Sequence, residues 1–98
     1  MSVPNFQTIM IPLLQFHANK RPKSSQDCLE HLSVIFNLSG EDLDQRLPSG
    51  SQTTFENRVS WASGYLCRTK LLDCNKKGMT RITAKGLEVL TETKDHNQ

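Results

Sequence analysis

A mainly α-helical fold closed by a small β-hairpin is the class this sequence predicts, and three observations predict it. Phe55, Val59, Ala62 and Leu66 fall at steps of four, three and four, the stripe of an amphipathic helix that must face a core. An extended run follows from Leu71-Leu72, then a Lys76-Lys77-Gly78 turn whose glycine tolerates positive φ, then a return over residues 79–82. On the opposite side of the helix, Thr53, Asn57, Ser60, Gly64 and Arg68 form a line of small or hydrogen-bonding side chains ending in a cation. Such a face can approach another molecule closely. A helix running into a basic hairpin is a winged helix-turn-helix arrangement, and residues 49–82 are the unit the rest of the chain supports.

The elements before and after that unit follow in order. Residues 1–4 read as an extended lead, with Asn5 capping a first helix whose apolar face, Phe6, Ile9, Met10, Leu13, Leu14 and His17, extends to about Ala18. Pro12 lies inside it and predicts a kink rather than two elements. Residues 19–23, with Pro22, form a basic turn. Ser24 or Ser25 caps a second helix, with Asp27 three residues after Ser24, and Leu29, Leu32, Ile35 and Phe36 as its buried side. Asn37 is a left-handed stop on which Leu38 folds back. Ser39 and Asp42 start a short acidic helix with Leu43 and Leu47 inward, and Pro48-Ser49-Gly50 breaks it. This insertion lengthens the connection beyond that of a simple helix-turn-helix. Ser51, or alternatively Ser49, caps the main helix over residues 51–70. Thr83 caps a last helix over residues 84–93, with Leu87 and Leu90 inward.

Composition bounds what the chain can be. Its 98 residues, 36% of them hydrophobic, suit one modest core that buries about two-thirds of the unfolded surface. The expected layout is a single domain over residues 1–93, with 94–98 a polar tail or the start of a linker. No apolar run approaches the roughly 20 residues of a membrane helix, and the amino terminus lacks the pattern of a secretory signal. A soluble, cytoplasmic protein is expected. Cys28, Cys67 and Cys74 are odd in number, with neither C-x-x-C spacing nor a histidine at zinc-site spacing, so reduced cysteines in or near the core are expected. His17, His31 and His96 stand apart and read as structural or surface residues. No metal or cofactor site is expected. With no nucleophile and base or carboxylate pair in view, the chain is not expected to be an enzyme.

Net charge is only +2, but it is unevenly distributed. Residues 51–85 carry seven basic side chains against two acidic ones, whereas in residues 24–50 Arg46 stands against five acids, with Lys20, Arg21 and Lys23 just before them. A field polarised in this way favours a polyanion at the helix and hairpin. The same residues would also make an ordinary solvated surface.

Val3-Pro4, Phe6-Gln7 with Leu13-Leu14, Leu47-Pro48-Ser49-Gly50, Asn57-Arg58-Val59-x-Trp61-Ala62, Leu71-Leu72, Gly78 and Ile82-Thr83-x-x-Gly86 together resemble the amino-terminal domain of Mrr-type restriction endonucleases. The resemblance spans nearly the whole chain. It implies a winged-helix DNA-binding domain, usually placed before a nuclease domain that restricts DNA carrying modified, often methylated, bases. The nuclease is not visible in these residues. Such enzymes hold magnesium with an aspartate and a Glu-x-Lys pair on adjacent strands, and the Glu-x-Lys of this chain, Glu92-Thr93-Lys94, lies at a helix end without a strand-borne aspartate.

The expected partner is therefore double-stranded DNA, with the main helix in the major groove. The base-reading candidates are Gln52, Thr53, Thr54, Asn57 and Ser60. Thr53 and Thr54 are placed to meet an added methyl group on the family reading, though both also suit capping. Asn57 fits an adenine edge or, equally, a local bond that orients the preceding loop. Phosphate candidates are Lys23, Ser51, Arg58, Arg68, Lys76, Lys77 and Arg81, with Ser51 at the helix amino terminus and Lys76-Lys77 at the hairpin tip. Arg58 suits a phosphate or an acid of residues 41–44, and Trp61 suits the core better than a base. The competing expectation is a protein-interaction or dimerisation module. There the same face packs on a second copy or on a carboxy-terminal nuclease domain, with Ser60 and Gly64 at a helix contact.

Overall fold

A computed structural model of the chain describes residues 3–50, 52–76 and 78–96. Helix α1 (Phe6–Phe16) begins at Asn5, whose Oδ1 accepts the Thr8 amide at 2.8 Å, and Pro12 lies inside it as part of one element. It stops short of Ala18 because the His17 and Ala18 amides bond three residues back, to Leu14 and Gln15, tightening the chain out of the helix.

Strand β1 (Lys23–Ser24) leads into α2 (Ser25–Ile35). Ser24, not Ser25, is the cap: its Oγ accepts the Asp27 amide and the Asp27 carboxylate accepts the Ser24 amide, each at 3.1 Å. Past the Phe36 cap of α2 the chain turns at Asn37, whose φ is 51°, and the Leu38 amide folds back onto the Ser33 carbonyl. Ile35 corrects the expected buried side, since it is 53% exposed while Cys28 and Leu32 are buried. It stands in the last turn, at the edge of their stripe. The same reciprocal box, Ser39 with Asp42, starts α3 (Gly40–Asp44).

Helix α4 (Thr54–Arg68) starts later than expected. Its cap is Thr53, in a box with Glu56; Ser51 lies outside the described residues, and so does Lys77. The loop before it is a small hairpin of its own. Arg46 pairs with Thr53, the Thr54 amide donates to Gln45, and the Gly50 amide donates to Leu47 at 2.8 Å with Gly50 at φ 72°. Leu47-Pro48-Ser49-Gly50 thus makes the turn that delivers the chain to α4.

Strands β2 (Leu72–Asp73) and β3 (Met79–Ile82) form a hairpin, and β1 adds to it, giving an antiparallel sheet in the order β1-β3-β2. Lys23 faces Thr80, Ser24 faces Met79, Leu72 faces Ile82 and Asp73 faces Arg81. The third strand is a finding: residues 19–23 were expected only to turn.

Helix α5 (Ala84–His96) closes the fold and continues past the expected end at residue 93. Thr83 caps it, accepting the Gly86 amide at 3.0 Å while donating to the Lys70 carbonyl. Gly86 makes this closure fit, because a Cβ there would run into the Leu71 carbonyl and come within 2.7 Å of Ile82 Cγ1.

The core lies where α4 packs along α1. Phe55, Val59, Ala62 and Leu66 meet Ile9, Leu13 and Leu14, with Leu32, Leu72, Ile82 and Val3 closing the ends. His17 is fully buried and joins α1 to the sheet: Nδ1 donates to Leu13 O at 2.8 Å and Nε2 accepts from Thr80 Oγ1 at 2.6 Å. His31 stacks on Phe16 with ring centroids 4.0 Å apart. Two expectations fail here. Trp61 is 60% exposed, because it lies about 100° round the helix from buried Ala62. Cys67 and Cys74 are joined as a disulfide rather than reduced, leaving Cys28 as a buried thiol. Among the described residues no helix is long and apolar enough to cross a membrane.

Candidate functional site

One flank of α4, the β2–β3 hairpin and the first turns of α2 line an open groove of about 450 Å³. Buried Leu13, Cys28 and Val59 lie at its floor, Gln52, Glu56 and Ser60 project from the helix wall, and Lys76, Gly78 and Met79 line the hairpin wall. The apolar stripe of α4 fixes this arrangement. With Phe55, Val59, Ala62 and Leu66 turned inward, residues 56, 60 and 64 are forced outward, and all three are exposed. Gly64 carries no side chain there, and a Cβ added to it would meet nothing within 4 Å, so the wall is low and open at that point.

The predicted base-reading residues divide. Gln52 and Ser60 line the groove. Asn57 is half-buried and its Nδ2 donates to Gln52 Oε1 at 3.1 Å, so its amide orients the loop before α4. Thr53 is committed to capping: Oγ1 accepts the Glu56 amide at 3.1 Å and donates to Glu56 Oε1 at 2.8 Å. Thr54 is only 5% exposed, packed beneath the first turn, and is corrected out of the open face.

The phosphate candidates also separate. Arg68 and Lys76 are exposed, Lys76 at the mouth of the groove. Arg81 is exposed on the central strand β3 and donates from Nε to Lys20 O at 3.1 Å, which ties it to the chain just before β1. Lys23 holds its ammonium 4.7 Å above the Phe16 ring. Arg58 is the clear correction. Its guanidinium is half-buried and donates to Val3 O at 2.7 Å and Pro4 O at 3.3 Å, holding the amino-terminal lead on α4 instead of meeting a phosphate or an acid of residues 41–44. In the first turn of α4, Thr54 N is satisfied by Gln45 O and Glu56 N by Thr53 Oγ1, while Ser51, the phosphate candidate expected at that helix terminus, lies outside the described residues.

One groove residue was missed. Glu56 reads in the sequence as an isolated acid in a basic stretch, yet it is exposed on the helix wall, and the Thr53 hydroxyl and amide hold its carboxyl below the ordinary value. A fixed carboxylate there repels phosphate and accepts from amino groups, so the groove suits base edges or donors with cations at its rim. On the other flank of α4, Trp61 and Tyr65 stand one turn apart, 60% and 47% exposed. Among the described residues no three histidine, cysteine, aspartate or glutamate side chains gather as a metal site.

The family model of the Mrr N-terminal domain matches residues 6–92. No curated protein and no solved structure matches. The residues on which the sequence resemblance rests, of which Val3-Pro4 precede the matched span, acquire physical roles here. Val3-Pro4 and Arg58 are two ends of one contact, Asn57 orients the loop turned by Leu47-Pro48-Ser49-Gly50, and Thr83 with Gly86 closes α5 on the hairpin.

Proposed function

The chain belongs to the Mrr N-terminal domain family, and on that premise we propose that it is a winged-helix DNA-binding module of an Mrr-like restriction system. Helix α4 lies in the major groove, the β2–β3 hairpin serves as the wing, and the module carries no catalysis of its own. The observation that carries this reading is the groove, which brings Gln52, Ser60 and the low step at Gly64 opposite Lys76. In this account Arg68, Lys76, Lys23 and Arg81 hold phosphates. Gln52 and Ser60 meet base edges, and Glu56 accepts from a cytosine amino group. A methyl group on a modified base meets the apolar floor of the groove rather than Thr54.

Amide chemical-shift mapping with a short duplex tests it. Shifts concentrated at residues 52, 56, 60, 64, 76 and 79 support the assignment. Shifts confined to residues 61 and 65 overturn it and favour the second reading, a dimerisation or interdomain winged helix that packs on the exposed Trp61 and Tyr65. For that reading light scattering shows a concentration-dependent dimer that Trp61→Ala abolishes.

A further inference from the structure

Cys67 stands in the last turn of α4 and Cys74 is the first residue past β2, so their bond joins the helix wall of the groove to its hairpin wall. The pair is placed for exchange. Cys74 is exposed and Cys67 half-buried, and both line the groove beside Lys76 on one side and a second cleft beside Lys70 and Asp73 on the other. Their Cα atoms are 6.0 Å apart, inside the span of a disulfide, and they are seven residues apart in the chain. Disulfides accessible in this way are the exchangeable ones. Cys28 is excluded from the chemistry, because burial pushes its thiol up to about 11 and the side chain is 5% exposed.

Among the described residues the β2–β3 ladder covers Leu72–Ile82 and Asp73–Arg81. Below it the chain is well anchored, by Thr83 Oγ1 on Lys70 O and by Thr83 N on Leu71 O. Beyond Asp73 the tip turns through Asn75 N on Asp73 Oδ1 and Met79 N on Lys76 O, both local bonds. Among the described residues, Met79 at the far side of the tip pairs with Ser24 of β1 and the Cys67–Cys74 bond joins the near side of the tip to α4.

We propose that Cys67 and Cys74 are a thiol–disulfide exchange site through which low-molecular-weight disulfides and thiols set how firmly the hairpin tip, with Lys76, is held to α4. Its consequence for DNA rests on the function proposed above. In the oxidising direction the Cys74 thiolate attacks one sulfur of a small disulfide and expels one thiolate. Cys67 thiolate then attacks the Cys74 sulfur of the mixed disulfide and expels the second. Two electrons pass to the small disulfide, and its two thiolates take up the two protons the cysteines released. Reduction by two small thiols is the reverse. The closed form presents Lys76 already positioned, so it binds more tightly.

The test equilibrates the full chain in glutathione buffers of graded ratio, traps free thiols by alkylation and reads the masses. Anisotropy on a duplex and amide exchange over residues 72–82 are then measured for each form. The expected results are a Cys67–Cys74 bond that forms and breaks across the series, and duplex binding about three- to tenfold tighter in the oxidised form. Cys67→Ser and Cys74→Ser should match the reduced form in every buffer, and exchange protection over 72–82 should fall on reduction. No Cys67–Cys74 bond at any ratio in folded protein, or equal hairpin protection in the two forms, overturns the proposal. If neither form binds DNA, the DNA reading has failed, and the protection data alone decide the switch.

Discussion

Arg58→Met separates the two roles, phosphate contact and structural tie, that a conspicuous arginine on α4 can have. The wild-type guanidinium donates to Val3 O at 2.7 Å and Pro4 O at 3.3 Å, and Val3 is 5% exposed. A hydrogen bond from a charged donor contributes about 1.5–3 kcal/mol net, and the longer bond adds less. Half-burial screens part of this, so about 2 kcal/mol is the expected loss. Methionine keeps most of the aliphatic stem, so little of the loss comes from packing. For a domain of this size 1 kcal/mol corresponds to about 4–8 °C, which puts the drop in Tm near 10 °C. Thermal unfolding by circular dichroism reads it, and duplex binding at a temperature where the variant is folded should be unchanged, with the same salt dependence. An unchanged Tm together with a salt slope reduced by about 1 would refute the assignment and return Arg58 to the phosphates.

Gly86→Ala should lower stability by about 1–3 kcal/mol, against the gain of nearly 1 kcal/mol that helix propensity alone gives, because the new Cβ meets the Leu71 carbonyl and Ile82; a raised Tm would contradict the close approach. Burial holds the His17 imidazole below its ordinary value of 6.5, so the unfolded chain takes up the proton first and stability is lost as pH falls below 6.5. His17→Gln should flatten the pH dependence of chemical denaturation between about 6.5 and 5, above the range where the capping carboxylates titrate. Lys76→Ala should weaken binding to all duplexes alike and lower the salt slope by about 1.

The parts of this fold that were legible in the sequence are those set by neighbours. The Ser24–Asp27 and Ser39–Asp42 boxes close within three residues, and the α4 stripe needs only helical periodicity, so both could be read directly. The start of α4 was misread although Thr53-x-x-Glu56 is the same box, because the serines at residues 49 and 51 compete for the role. Strand β1 is two residues long and is a strand only because β3 lies beside it.

The candidate site was harder to read for the same reason. Arg58 reaches a carbonyl 55 residues away, and nothing near it in the chain signals that contact. Asn57 and Arg58 look like a polar pair on an open face, yet one orients a loop and the other holds the amino-terminal lead. Trp61 depended on a single step of helical phase. The Cys67–Cys74 pair straddles a helix end and a strand, a separation that matches no spacing motif, so only the fold brings it together.

The central claim is that the groove between α4 and the hairpin receives duplex DNA. Fluorescence anisotropy at low and moderate salt tests it most directly, on short duplexes that are unmodified or carry methylated cytosine or methylated adenine. The account predicts salt-dependent binding to duplex DNA that Lys76→Ala weakens and Arg58→Met does not, with tighter binding to one methylated duplex if the groove floor receives the methyl group. No binding to any duplex at low salt would contradict it and leave the exposed Trp61 and Tyr65 flank as the functional surface.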